Sequence, residues 1–189
     1  MTFDREYSMR QAGLIAVSAA ALFAMGGSAL AAREETTVMT SPAPVTASDQ
    51  QALLESDDPQ LAANKRLVYD MYRIVLQAGL WERAGEFIRE DYVQHNPNAG
   101  QGLSGVQDYI RKTRPERPIT DTLELPLIQL IAEGDYVMTS FVRPEKDTEG
   151  QTYYSTWFDL YRIEDGRIVE HWDPMVKSDR PIDPNQNRL

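Results

Sequence analysis

The sequence predicts an α+β domain: three N-terminal helices packed on a curved antiparallel sheet that encloses a pocket. Three observations predict it. In the first half, apolar residues recur at the spacing of amphipathic helices. After Pro118 the spacing changes to strict alternation, the period of half-buried strands. Finally, Glu133-Gly134-Asp135 and Asp165-Gly166 are short turn signals between alternating runs, so the strands follow one another as a meander.

The first helix should begin at Asp58-Pro59, a capping residue followed by a proline that needs no backbone donor. Leu61, Val68, Met71, Tyr72 and Val75 then mark its buried stripe, and Gly79 stops it. Residues 81–88 read as a second, short helix. Ser104-Gly105-Val106-Gln107 fits a capping box for a third, with Val106, Tyr109 and Ile110 facing inward. In the sheet, Leu123, Leu125 and Leu127 alternate, and Pro126 suggests an edge or a bulge. Strands are expected over 136–143, 152–163 and 167–173, the last two joined by Asp165-Gly166 as a type I′ turn.

The chain has 189 residues, enough for one such domain and its extensions. Residues 1–31 read as a secretory signal: Arg5 and Arg10 precede an apolar run over 12–25, and Ala29-Leu30-Ala31 supplies the small-residue cleavage pattern. That run is shorter than the roughly 20 residues of a membrane-spanning helix. Residues 32–57, rich in Thr, Ser, Ala and Pro, read as a flexible linker, 58–176 as the folded domain and 177–189 as a polar tail. The expectation is a periplasmic or secreted protein with no membrane insertion after cleavage. Cysteine is absent, so the core alone must hold the exported domain. The net charge of −10 and the lack of a basic stripe argue against nucleic acid as a partner.

Two histidines occur in the whole chain. His95 lies in an extended stretch ended by Asn96-Pro97, and His171 near the end of the final strand. With Asp165-Gly166 as a two-residue turn, Glu164 pairs with Arg167, Leu160 with His171 and Phe158 with Asp173. One face then carries Tyr154, Phe158, Leu160, His171 and Asp173, an apolar floor with polar groups at the mouth, as a ligand pocket requires. The other carries Trp157, Asp159, Tyr161 and Trp172, a mixture of aromatics and acids suited to a subunit interface.

Tyr92-Val93-Gln94-His95-Asn96-Pro97, Ile131-Ala132-Glu133-Gly134-Asp135-Tyr136-Val137 and the block from Phe158 through Asp173 resemble the SnoaL-like polyketide cyclases. These belong to the nuclear-transport-factor-2-like (cystatin-like cone) superfamily. The resemblance spans roughly residues 64–176 and implies a conical α+β fold, commonly paired as a homodimer. It places Asp173 where such cyclases and the related limonene epoxide hydrolases keep a catalytic aspartate. It places His95 where the hydrolases keep a polar residue that helps to hold water. Phe141 and Arg143 stand where the hydrolases carry a carboxylate-bearing strand, a departure that weighs against epoxide hydrolysis.

The chemistry these residues suggest is proton transfer next to a carbonyl, as in an aldol-type cyclisation or an isomerisation of an apolar carbonyl compound. That needs a base and a donor for the enolate oxygen. Asp173 is read as the base or acid, with His171 or His95 positioning it or donating to the oxygen, and Tyr92 and Asn96 as candidate donors. Phe141, Arg143, Tyr154, Phe158 and Leu160 would line the substrate site. No cofactor and no metal is assigned; His171-x-Asp173 puts two ligand types on one strand face about 7 Å apart by strand rise, which does not define a metal site. Each residue also has a plain structural alternative: Asp173 as a cap on loop amides, His171 as a core histidine, His95 as a turn residue. The competing function is a noncatalytic domain that holds a small apolar ligand.

Overall fold

Asp58 starts the first helix through its side chain, which accepts from the backbone N–H of Gln60 at 2.8 Å and of Leu61 at 3.4 Å. The computed structural model describes residues 42–177. The signal segment 1–31, the start of the linker and the end of the polar tail lie outside the described residues. Helix α1 runs Pro59–Met71 and widens without a break into a π-helical stretch, Tyr72–Gln77. Gly79 ends it at φ +72°, where a Cβ would meet the Pro115 carbonyl oxygen at 2.7 Å, so only glycine fits. The second helical segment, Trp81–Glu86, is a 3₁₀ helix, shorter than the sequence suggests because Ile88 already belongs to a strand.

The third helix, α2, is Gly102–Thr113 and starts ahead of the expected capping box. Ser104 therefore lies inside the helix. Its N-cap residue, Gln101, makes no side-chain cap bond; its amide instead brackets the backbone of Gln94, accepting from the N–H at 3.0 Å and donating to the carbonyl at 2.7 Å. Part of the range read as linker also packs on the domain. The Ala47 N–H bonds the Leu127 carbonyl at 2.8 Å, the Gln50 amide pairs with both backbone groups of Leu123, and Leu54 is buried.

Five strands form a curved sheet in the order β1-β5-β4-β3-β2: β1 Ile88–Gln94, β2 Leu127–Glu133, β3 Tyr136–Lys146, β4 Thr152–Glu164 and β5 Arg167–Trp172. The pairs β2–β3, β3–β4 and β4–β5 are antiparallel, as the meander predicts. The edge strand β1 is parallel to β5, so the sheet is mixed rather than wholly antiparallel. Sequence alternation could not announce β1, since Ile88-Arg89-Glu90-Asp91-Tyr92 has no clean period of two. Leu123 and Leu125 precede β2 rather than forming it, and the ladder is irregular just past Pro126, between Leu127 and Gln129. The helical layer covers one face. Val68, Tyr72 and Val75 from the first helix meet Leu130, Val137 and Ile168 from the sheet in one buried cluster, each side chain contributing about 1.5–3 kcal/mol by burial.

The β4–β5 hairpin decides which residues face that layer. Asp165 at φ +51° and Gly166 at φ +69° make the expected turn, and Glu164 pairs with Arg167. Ile163 then pairs with Ile168 but Arg162 with Glu170, which leaves Val169 as an extra residue on β5. Beyond this bulge His171 lies opposite Tyr161 and Trp172 opposite Leu160. A one-residue shift exchanges the two faces of a strand. Trp157, Asp159 and Tyr161 therefore turn into the core with His171, and Tyr154, Phe158 and Leu160 turn away from it.

Candidate functional site

The inward face of β4 carries Asp159 at the centre of the domain, 1% exposed. Thr139 lies opposite it on β3, and Trp157 and Tyr161 flank it two residues away on β4. A buried carboxylate demands hydrogen-bond donors, and the surrounding elements supply them. The indole Nε1–H of Trp157 donates to Asp159 Oδ1 at 2.9 Å, and the Tyr72 hydroxyl donates to Oδ2. Tyr72 opens the π-helical stretch, where the wider turn carries its ring over the sheet against Phe141 and edge-on to Tyr161. Tyr161 in turn donates to the Tyr72 hydroxyl at 3.0 Å.

His171 completes this cluster. Its Nε2 lies 3.0 Å from Asp159 Oδ1, its Nδ1 2.9 Å from Gln94 Oε1, and its ring stacks on Tyr161 at 4.7 Å between centroids. Gln94 is the cross-strand neighbour of His171 in the β1–β5 pair, so their side chains share the inner face. The Gln94 Nε2 donates to the Tyr92 hydroxyl at 3.1 Å, and its Oε1 also accepts from the Asn96 N–H at 2.9 Å. Asn96 then holds Asp173: its Nδ2 donates to Oδ2 at 2.6 Å, while the Met175 N–H donates to Oδ1 at 3.0 Å. Asp173 is half-buried, so it is the carboxylate of the cluster nearest to solvent.

Electrostatics assign donor roles to the tyrosines. Burial, reinforced by the Asp159 charge, holds the phenol of Tyr72 well above its ordinary pKa, and burial with Tyr72 and Asp159 nearby does the same for Tyr161. Tyr92 is raised by burial first and then by the charges of Asp159 and Asp173. All three stay protonated at neutral pH and act as hydrogen-bond donors rather than bases.

Several expected site residues are brought together and others are not. Asp173, His171, Tyr92 and Asn96 converge, and Phe141 joins the core against Tyr72. Arg143 reaches the inner face further along β3, where it lies over the Trp157 ring at 4.8 Å and pairs with Glu145. His95 does not join them. Just past the end of β1 it lies on the outer side, stacks on Trp172 at 4.7 Å and bonds Glu170 at 2.8 Å. Tyr154, Phe158 and Leu160, expected as pocket lining, sit on that same outer face, where Phe158 is 45% exposed. Conversely Trp157, Asp159 and Tyr161, expected at an interface, are core. The missed residues are Asp159, Tyr72 and Gln94; the one signal for Asp159 was its place midway between Trp157 and Tyr161.

Asp159, His171 and Asp173 are also the donor set a cation would use, with ligand atoms within 4.8 Å of one another. Two ligands about 2.1 Å from a zinc-like ion lie at most roughly 4.2 Å apart, whereas the roughly 2.3–2.6 Å bonds of calcium would reach this envelope. An ion would have to replace the direct His171–Asp159 bond. No helix among the described residues is long and apolar enough to cross a membrane.

A helical layer on one face of a curved five-stranded sheet, with acid–base groups on the covered face, defines a nuclear-transport-factor-2-like, cystatin-like fold. Residues 68–171, more than half of the chain, match the family described as SnoaL-like domain, and the protein belongs to that family. Comparison with curated proteins found no match. Among solved structures, a protein of Jannaschia sp. CCS1 provisionally assigned as a SnoaL-like polyketide cyclase is 16% identical, with 64% of this chain and 91% of that chain aligned at a TM-score of 0.46. A protein of unknown function with a cystatin-like fold from Xanthomonas campestris is 25% identical over 58% of this chain and 88% of that one, at 0.42. An LEH-like epoxide hydrolase of M. tuberculosis is 17% identical over 59% and 80%, at 0.43. The family assignment rests on the sequence match.

Proposed function

We propose that this domain is a small-molecule enzyme that moves a proton next to the carbonyl of an apolar compound, in an aldol-type cyclisation or an isomerisation. The observation that carries the reading is the linked set Asp159–His171–Gln94–Tyr92 with Asn96 and Asp173, which gathers carboxylates, an imidazole and a neutral phenol at one end of β5. Asp173 is the base. Each of its oxygens accepts one bond from the protein and keeps a lone pair, and it is more accessible than Asp159. Tyr92 is the donor to the enolate oxygen: its hydroxyl accepts from Gln94, and its own proton has no acceptor among the described residues. His171 bridges Asp159 and Gln94 beneath the site. Native mass spectrometry of the mature protein with gentle ligand release tests the reading. A released carbonyl compound that the wild type converts and Asp173→Asn does not supports it; conversion at equal rates by both refutes it.

The noncatalytic reading has one specific observation in its favour: Asp159 accepts from Trp157, His171 and Tyr72 at once, a pattern that needs no ligand to be satisfied. A ligand that copurifies and is returned unchanged by wild type and variant alike would favour a carrier.

The outer face of the sheet, with Tyr136, Tyr154 and Phe158 exposed, is proposed as the seat of a homodimer. Export by the segment 1–31 is proposed as well, with no nucleic-acid partner. Sequencing the N-terminus of protein recovered outside the cytoplasm checks cleavage near Ala32.

A further inference from the structure

Gln94 touches every arm of the site, although the motif that contains it assigns it no role. Its Oε1 accepts from two donors, the Asn96 backbone N–H at 2.9 Å and a ring proton of His171 at 2.9 Å, and its Nε2 donates to the Tyr92 hydroxyl at 3.1 Å. The orientation of this amide is fixed. A backbone N–H can only donate, so the group facing the Asn96 N–H has to be the carbonyl oxygen. The Gln94 backbone is itself clamped by the side chain of Gln101 ahead of α2.

From this geometry we infer that Gln94 is a positioning residue that sets the protonation pattern of His171 and the direction of the Tyr92 hydroxyl. The carbonyl of Gln94 requires a proton on His171 Nδ1. The other ring nitrogen, Nε2, faces Asp159 Oδ1 at 3.0 Å and donates to it. The same amide occupies a lone pair of the Tyr92 oxygen, which leaves the phenolic proton to point away from Gln94, toward a ligand. Asn96 ties the third arm to the same anchor, since its N–H holds the Gln94 carbonyl while its side chain holds Asp173. The consequence for turnover rests on the acid–base reading above; the protonation pattern does not.

The test is ¹⁵N NMR of the histidine rings in ligand-free protein carrying no tag, titrated between about pH 5 and 9, the range in which histidine changes charge. Two histidines make the spectrum simple, and His95→Gln assigns them. The expected result is that His171 Nδ1 carries a proton, held by the Gln94 carbonyl. In Gln94→Leu, Nδ1 loses its acceptor and should be the ring nitrogen left without a proton, while Nε2 keeps its own toward Asp159. Gln94→Glu restores an acceptor for Nδ1 but not the donor to Tyr92, so it should return the wild-type ring pattern. A bare Nδ1 in the wild type, or an unchanged ring in Gln94→Leu, overturns the inference. Turnover that survives in Asp173→Asn with the ring pattern as expected would instead sink the acid–base reading and leave this one standing. With a substrate in hand, both Gln94 variants should lose about 10- to 100-fold in kcat, with a smaller change in KM.

Discussion

Asp159 and His171 meet across the β4–β5 hairpin, 3.0 Å apart, with 1% and 7% of their surfaces exposed. Two ionisable side chains so enclosed hold each other: either one alone would leave a buried polar group without its partner. The more open Asp173 is held separately, by Asn96 and the Met175 N–H.

Asp159→Ala should therefore destabilise the domain strongly, by about 3–5 kcal/mol, because it strands Tyr72, Trp157 and His171 together. Equilibrium urea denaturation followed by tryptophan fluorescence reads this directly. A loss below about 1 kcal/mol, the scale of a single replaceable hydrogen bond, would contradict the picture of a shared anchor.

The tyrosines make stability depend on alkaline pH in a stated direction. The phenols of Tyr72, Tyr92 and Tyr161 titrate higher in the folded protein than the ordinary value near 10. A raised folded-state pKa favours the protonated form on folding, so this contribution is fully present below about pH 10 and is lost as the pH climbs toward the folded values. The unfolding midpoint should decline above about pH 10, and phenolate absorbance should show these tyrosines ionising only as the chain unfolds. Ionisation of all nine tyrosines near the ordinary value in a still-folded protein would count against their burial.

Phe158 and Asp159 are neighbours in the chain and opposites in environment, 45% and 1% exposed. If the outer face seats a second copy, Phe158→Glu should shift the protein from dimer to monomer in sedimentation analysis while leaving circular dichroism unchanged. A wild type that is already monomeric at tens of micromolar would remove that face from consideration as an interface.

Gly79 offers a check on the fold itself. Alanine there would combine a φ of +72° with an approach of 2.7 Å to the Pro115 oxygen, so Gly79→Ala should cost at least about 1 kcal/mol. An unchanged denaturation midpoint would mean that the helix does not end in this conformation.

Much of the architecture was legible where it depends on neighbours in sequence. Asp58-Pro59 caps its helix, Asp165-Gly166 makes its turn, and the change of period marks the passage from helices to sheet. What could not be read depends on residues far apart. Ile168 and Val169 are both apolar, so nothing in the sequence tells which of them is the extra residue of the bulge, and that one residue exchanges the two faces of the hairpin. His95 follows the same logic: its place beside Trp172 comes from β1 lying parallel to β5, a pairing that no local pattern encodes. Gln94 meets His171, 77 positions away, and Tyr72 meets Asp159 across 87. Asp173, His171, Tyr92 and Asn96 were legible because they cluster near strand ends in two short motifs.

The most direct test of the central claim is exchange of protons next to a carbonyl. A panel of apolar ketones in D₂O, followed by NMR with wild type and Asp173→Asn, works even while the natural substrate is unidentified. The wild type should accelerate exchange of at least one member, and the variant should lose about 100-fold or more of that acceleration. Equal acceleration by the two proteins would contradict the assignment of Asp173 as the base, and no acceleration of any ketone by the wild type would move the domain to the carrier reading.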